Sequence, residues 1–210
     1  MVNRIDIGIM AAILVVGLAV GAIILTGQDD GNNKTISDDV HVKVVDELVE
    51  GDFNTFRVNW SDDSGEGSYE WKESVMAIEG NDCLIDCYRN GSYEYIKTDT
   101  PSNFIAKYSA NPQRLAELMK DEGFGDVTFK KLKSVSCETY RGTVTCDMYS
   151  AAVNYEDDTT TRVGDIVAYI GPLDIVYRLT YMIKETNPDG SNTRAQDTVV
   201  IGSSLLVEKE

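Results

Sequence analysis

Alternation of apolar and mostly polar side chains in the segment LDIVYRLTYMIKE restricts the fold of this chain more than any other pattern in its sequence. Successive side chains of a β-strand point to opposite sides, so this is the pattern of a strand with one buried face. The segment is therefore predicted to be a central strand of a sheet. Its alternating side chains are Leu173, Ile175, Tyr177, Leu179, Tyr181 and Ile183.

Shorter β-like runs occupy much of the remaining sequence and are separated by turns rich in Gly, Asn, Asp and Ser. Asn90 and Gly91 form the dipeptide that best fits a two-residue type I′ hairpin turn. Cross-strand aromatic and branched pairs stabilise the face of such a hairpin. The turn predicts that Tyr88 faces Tyr93 and that Ile85 faces Ile96.

Two short helices are predicted in the segment TPSNFIAKYSANPQRLAELMKDEGFG. Thr100 and Asn111 each precede a proline and are suited to cap a helix that begins at that proline. The second helix carries one apolar stripe, which favours core packing over a binding groove, and Gly123 is suited to end it. The stripe consists of Leu115, Leu118 and Met119.

The segment VHVKVVDELVEGDF could form a short strand or a helix that ends at Gly51, and the helix is favoured. These elements together predict an α+β fold, in which a mainly antiparallel β domain contains a short helical insertion.

Residues 7–26 contain no charged side chain. A helix of that length is about 30 Å long and matches the hydrocarbon core of a bilayer. We therefore predict a transmembrane anchor over residues 1–27. The alternative is a cleaved signal peptide, but Val20 and Ala22 form a poor cleavage site and the apolar run continues beyond them. Gly17 and Gly21 have the spacing that lets membrane helices pack closely, so a homodimer through this face is a hypothesis.

A polar segment, residues 28–39, follows the apolar run and is predicted to be a flexible stalk. Arg4 lies before the run and acidic residues lie after it, which favours a cytoplasmic N-terminus. Residues 40–210 are then an extracytoplasmic β-rich domain, and the protein is located in the cell membrane with a single span.

Cys137 and Cys146 lie at equal distances from Arg141 and Gly142. If these two residues form a hairpin turn, the cysteines face each other in a non-hydrogen-bonded pair, with Cα atoms within disulfide range. An external location and an even number of cysteines favour this bridge over two buried thiols.

Cys83 and Cys87 would share one face of an extended strand, about 13 Å apart, which is too far for a bond. They can join only if the segment between them bends, and otherwise they bond to the other two cysteines. Two local bridges are favoured. A four-cysteine zinc site and a redox-active pair are weaker alternatives, because the spacings differ from the usual motifs.

Three glycosylation sequons begin at Asn33, Asn59 and Asn90. All three are predicted to lie in the stalk or at turns, where an attached glycan would remain in solvent. Their use depends on the organism.

The chain carries 35 acidic and 19 basic side chains, a formal net charge of −16. Such a surface repels phosphate backbones, so nucleic acid is excluded as a partner. His41 is the single histidine and has no nucleophile motif beside it, so neither an enzyme nor a cofactor is predicted. Acidic clusters around Asp62 and Glu156 lack the spacing of an EF-hand calcium loop.

Two functions of different class follow. The preferred hypothesis is a membrane-anchored surface protein whose acidic, disulfide-stapled domain binds another protein or forms part of the envelope. The alternative is an extracytoplasmic carrier of a lipid or other apolar ligand, held in a curved sheet with a helical lid. The first predicts a solid core with an exposed apolar patch, and the second predicts a large apolar pocket between sheet and helices.

Overall fold

The computed structural model describes residues 42–208. The predicted anchor, including Gly17 and Gly21, the predicted stalk with Asn33, and His41 lie outside the described residues. Within the described range, no helix has the length and apolar character needed to cross a membrane.

Eleven strands and four short helical segments form the described domain. The first half contains β1 (Val42–Val44), β2 (Phe53–Asp62), β3 (Gly65–Glu79), β4 (Asp82–Arg89), β5 (Ser92–Asp99), α1 (Pro101–Ala106), α2 (Pro112–Met119) and a π-helical turn (Lys120–Phe124). The second half contains β6 (Lys130–Thr139), β7 (Gly142–Glu156), β8 (Thr161–Ile170), a 3₁₀ turn (Pro172–Asp174), β9 (Val176–Asn187), β10 (Gly190–Ser203) and β11 (Leu206–Glu208).

Nine of the strands form one antiparallel sheet in the order β5-β4-β3-β2-β10-β9-β8-β7-β6. It consists of two meanders, β2 to β5 and β6 to β10, which are joined where β2 pairs with β10. The prediction of a mainly antiparallel fold with a short helical insertion is confirmed. The strand predicted to be central corresponds to β9, which pairs with β8 and β10. It begins only at Val176, since Leu173 lies in the 3₁₀ turn and Ile175 follows that turn.

The two meanders place β5 and β6 at opposite edges of the sheet. The connection between them contains α1 and α2, so it must cross one face of the sheet. We call this the inner face. Its strands contribute alternate side chains that include Phe56, Trp71 and Leu179, while the intervening side chains lie on the outer face.

Both predicted helix starts are confirmed. The Thr100 hydroxyl accepts a hydrogen bond from the Asn103 backbone N–H at 3.2 Å, and Asn111 Oδ1 accepts one from the Arg114 N–H at 2.9 Å. Each cap satisfies an N–H that the first turn leaves without a partner. The predicted apolar stripe of α2 is buried, and Gly123 ends the helical segment at a φ of 84°.

The helix predicted near the start of the domain is wrong. Residues 42–44 instead form β1, which pairs with β11 to make a separate two-stranded sheet. A short helix is only marginally stable without tertiary contacts. Pairing with β11 therefore decides the conformation of this segment. Gly51, predicted to end the helix, adopts a φ of 93° in the turn before β2.

The predicted Asn90-Gly91 turn is confirmed, since both residues have the positive φ that a type I′ turn requires, 50° and 78°. Tyr88 faces Tyr93 as predicted, with ring centroids 5.9 Å apart. The second predicted pair is wrong. A bulge between Cys87 and Tyr88 shifts the register, so Ile85 faces Lys97 and Ile96 faces Asp86.

We expect Gly164→Ala to destabilise the sheet strongly. An added Cβ would lie 2.0 Å from the Met182 carbonyl oxygen and 2.9 Å from Ile183 Cδ1. The Met182 backbone cannot move away as a flexible side chain could, so the clash would remain. The free energy of unfolding should therefore fall by about 3 kcal/mol. Urea denaturation of the full chain measures this change.

Gly202→Ala is the matched control, because its added Cβ would meet nothing closer than Thr55 Cβ at 3.8 Å. Its midpoint should stay close to that of the unchanged protein. Equal losses in the two variants would contradict the close packing of β8 against β9.

Candidate functional site

A cavity of about 490 Å³ lies between the inner face and the helical connection. This volume falls in the range of small-molecule sites, roughly 300 to 1,000 Å³. The floor belongs to β2, β3, β5, β9 and β10, and α2 with the π-helical turn forms the opposite wall. The lining side chains are Phe56, Val58, Tyr69, Trp71, Glu73, Tyr95, Lys107, Leu115, Leu118, Met119, Glu122, Phe124, Val176, Leu179, Tyr181, Arg194, Gln196, Thr198 and Val200.

Aromatic side chains make up much of the cavity wall. Trp71 lies against Tyr69 and Tyr95, with centroid distances of 6.4 and 5.9 Å. Phe124 lies 5.2 Å from Tyr181 on the other side. Aromatic rings offer large, rigid apolar surfaces, so this wall suits a ligand with an apolar body.

Glu73 is the one buried acidic side chain in the wall, with 5% of its surface exposed. Its Oε1 accepts hydrogen bonds from Lys97 Nζ and from Trp71 Nε1, the latter at 3.0 Å. Its Oε2 accepts no hydrogen bond, and Lys107 Nζ lies 3.5 Å from it. Lys107 also pairs with Asp99 at 2.8 Å, so two acids and two lysines form one cluster, in which Glu73 is buried and the other three side chains are partly buried.

Burial alone would raise the pKa of Glu73, because it disfavours the charged form. The positive charges of Lys107 and Lys97 outweigh this effect and hold the pKa of Glu73 below its ordinary value. Glu73 is therefore ionised at neutral pH and keeps a negative charge at the inner end of the cavity.

Away from Glu73, the cavity adjoins a cleft with which it shares Arg194 and other lining residues, and which is also lined by Trp60, Asp62 and Arg89. The Arg89 guanidinium carbon lies 4.2 Å from the Tyr69 ring centroid. The Arg194 carbon lies 5.8 Å from the Tyr181 centroid. The two arginines therefore lie over rings that also line the cavity.

Cys137 and Cys146 are neighbours, but in a different register from the one predicted. The turn falls at Tyr140 and Arg141, so Thr139 pairs with Gly142, Cys137 faces Val144, and Cys146 faces Val135. The cysteines are diagonal neighbours, and their thiols are hydrogen-bonded to each other, which lowers the pKa of Cys137. The structure carries all four cysteines as thiols, and this bridge stays a prediction.

Cys83 and Cys87 lie in the continuous strand β4, both fully buried on the same face. This is the extended arrangement, in which about 13 Å separates the two residues. The segment does not bend as a local bridge would require. Glu73 faces Cys87 across the strand pair, so these cysteines lie beside the buried charge cluster.

The described sequons differ in position. Asn90 is exposed in a turn, as predicted. Asn59 is not in a turn: it lies within β2, half-buried on the outer face, where its amide donates to Asp197 Oδ2 at 3.4 Å. A glycan on Asn59 would require that hydrogen bond to break, and use of either sequon stays a prediction.

The apolar stripe of α2, for which the sequence favours core packing over a binding groove, is buried but also lines the cavity. The sequence carries one signal for the cavity. Tyr69, Trp71 and Glu73 share one parity in β3, so a charged side chain takes an inward position beside two aromatic rings. Such a placement indicates either a paired buried charge or a binding site. No sequence pattern indicated that Arg194 lines the cavity, because its position there depends on the order of the strands in the sheet.

No family model and no curated protein matches the chain. Solved structures with partial likeness include a candidate exported protein with a YmcC-like fold from Bacteroides fragilis, with 10% identity, coverage of 77% of this chain and 99% of that one, and a TM-score of 0.38. A candidate lipoprotein from Parabacteroides distasonis shows 13% identity, 75% and 97% coverage, and a TM-score of 0.34.

A DUF1329 family protein from Desulfovibrio piger shows 8% identity, 81% and 87% coverage, and a TM-score of 0.22. At these scores the likeness assigns neither a fold family nor a function to this chain.

We expect Lys107→Met to lower the free energy of unfolding by about 3 kcal/mol at pH 7, because it removes one partner from a buried ion cluster. The folded-state pKa of Glu73 is depressed, so its stabilising contribution is complete above the unfolded pKa of about 4.3 and is lost as the pH falls through the folded pKa. The difference between variant and unchanged protein should therefore narrow below about pH 4.

Urea denaturation at several pH values measures this difference. Lys131→Met is the control, since its ion pair with Asp147 is exposed and should contribute far less. A Lys107→Met effect that stays constant from neutral to acidic pH would contradict an electrostatic role for Lys107.

Proposed function

We propose that this protein is an extracytoplasmic ligand-binding protein whose cavity holds a small molecule with an apolar body. The observation that carries the proposal is the cavity itself, with 13 apolar or aromatic side chains among the 19 that line it. A solid core would have favoured the hypothesis preferred from the sequence, in which the domain binds another protein through its surface, so the proposal follows the alternative, the carrier of an apolar ligand. The extracytoplasmic location is supported by the uncharged run of residues 7–26.

The two walls of the cavity would contribute differently to binding. The sheet supplies rigid rings on a hydrogen-bonded floor, whereas α2 supplies Leu115, Leu118 and Met119. Methionine is unbranched and polarisable, so it adapts to ligands of different shape. This combination suits a flexible apolar chain better than one exactly shaped ligand.

Binding rather than catalysis is proposed, because the charged groups at the inner end form ion pairs with one another. The Glu73 carboxylate is held by Lys97 and Lys107. A general base must take a proton from the bound molecule. The Glu73 carboxylate is a weak base, because its pKa lies below the ordinary value.

We expect the methyl ester of dibromostearic acid, a neutral apolar probe, to quench the tryptophan fluorescence of the full chain in a mild detergent. Bromine quenches only at short range, and the two tryptophans of the chain, Trp60 and Trp71, line the cleft and the cavity. Thr198→Phe should abolish the quenching, because Thr198 lies on the cavity floor and the larger ring fills the space.

Val199→Phe is the matched control. It makes a similar increase in size at the next residue of β10, which points to the outer face between Arg57 and Arg178. Quenching should remain in this variant. The proposed function fails if the ester does not quench the fluorescence of the unchanged protein, or if it quenches the fluorescence of both variants equally well.

A further inference from the structure

Two arginines in the cleft beside the cavity have no carboxylate partner among residues 42–208. Arg89 and Arg194 both line the cleft there, and each lies over a tyrosine ring. The chain has a net charge of −16, so acidic partners are abundant. Of the other five arginines of the described domain, the exposed Arg57 and Arg141 also form no ion pair. The remaining three do: Arg114 with Glu117, Arg162 with Glu185, and Arg178 with Asp197.

Arg194 is also left with an unused hydrogen-bond donor. Its Nε is buried and has no hydrogen-bond partner among the described residues. A guanidinium stays charged at any pH a protein tolerates, so it cannot relieve this cost by losing its proton. Buried donors in native proteins are nearly always paired, and an exception calls for an explanation such as a missing ligand.

The acidic side chains nearby do not supply the missing partner. Asp62 lines the same cleft, but its Oδ1 accepts from the Ser64 backbone N–H at 2.7 Å. Glu122 lines the cavity wall on the π-helical turn. Within the described part of the chain, neither acid comes within ion-pair distance of Arg89 or Arg194. The cleft therefore presents two positive groups that no described carboxylate neutralises.

We propose that Arg89 and Arg194 bind the anionic end group, a carboxylate or phosphate, of an amphiphile whose apolar body fills the cavity. This inference rests on the proposed function and adds the chemical class of the ligand. The planar guanidinium presents donors in a fork that matches the two oxygens of such groups. The tyrosine rings beneath the arginines support the orientation of both forks.

The balanced charges at the other end of the cavity give the ligand one orientation. Glu73 lies four residues beyond Tyr69 along β3, about 13 Å away. The charges of Glu73 and Asp99 are balanced there by Lys97 and Lys107. Among the described residues, an anionic end group finds no unpaired positive charge at that end and is attracted to the cleft, so the apolar end of the ligand enters first.

The test compares dibromostearic acid with its neutral methyl ester in the tryptophan-quenching experiment, at a pH where the acid is ionised. The measured quantity is the affinity for the acid divided by the affinity for the ester. This ratio should be at least about tenfold lower in Arg194→Gln than in the unchanged protein, because one charge-assisted hydrogen bond is lost. Comparing the acid-to-ester ratio between variants cancels the partition of each probe into detergent. Arg89→Gln should lower the ratio in the same direction.

Arg57→Gln is the matched control, since Arg57 is exposed on the outer face and should leave the ratio unchanged. Arg194→Lys keeps the charge without the fork and should give an intermediate ratio. Urea midpoints of all variants check that they are folded. An acid-to-ester ratio that is the same in the unchanged protein and in both Arg→Gln variants overturns the inference, whereas failure of the ester to quench overturns the proposed function.

Competition by dodecyl phosphate and by inorganic phosphate separates an amphiphile from a free anion. Displacement of the bound acid by dodecyl phosphate, but not by the same concentration of inorganic phosphate, is expected. Equal displacement by the two would show a site for free anions and would overturn the assignment to an amphiphile.

Discussion

The placement of β5 and β6 at opposite edges of the nine-stranded sheet determines most of what the domain can do. The chain between them has to travel across the sheet, and it does so over the inner face. Its apolar side chains then bury both their own surface and that of the sheet. Side chains of the connection pack with the sheet into two apolar clusters, one around Phe104 and one around Leu115, and members of both clusters line the cavity.

The buried charge cluster fixes the start of this crossing. Asp99 ends β5, Lys107 follows α1, and Glu73 lies on the sheet beneath them. A pair of buried charges contributes little net stability compared with apolar side chains, but it is costly to break in one partner. It therefore holds one position of the connection over the sheet, while the apolar contacts of α2 leave room for a ligand.

Local features of the fold could be predicted from the sequence, because short-range chemistry decides them. The caps at Thr100 and Asn111, the Asn90-Gly91 turn and the alternation in β9 all belong to this kind. The predicted strand registers were wrong in two hairpins, because a shift of one residue changes every pair beyond it. One shift comes from the bulge beside Tyr88, and the other from the turn before Gly142, which begins one residue earlier than predicted. The cavity could not be predicted, since Trp71, Leu118 and Arg194 meet only through the order of strands and the crossing connection.

The pairing of β1 with β11 has a mechanical consequence. Val42 pairs with Glu208 and Val44 with Leu206, so the strand that leads into the domain is held by the strand that ends it. Tension applied to the chain before Val42 loads this short ladder first, and its hydrogen bonds open in turn from the outer end. Neither strand belongs to the nine-stranded sheet, so β1 can detach from β11 without breaking any strand pairing around the cavity.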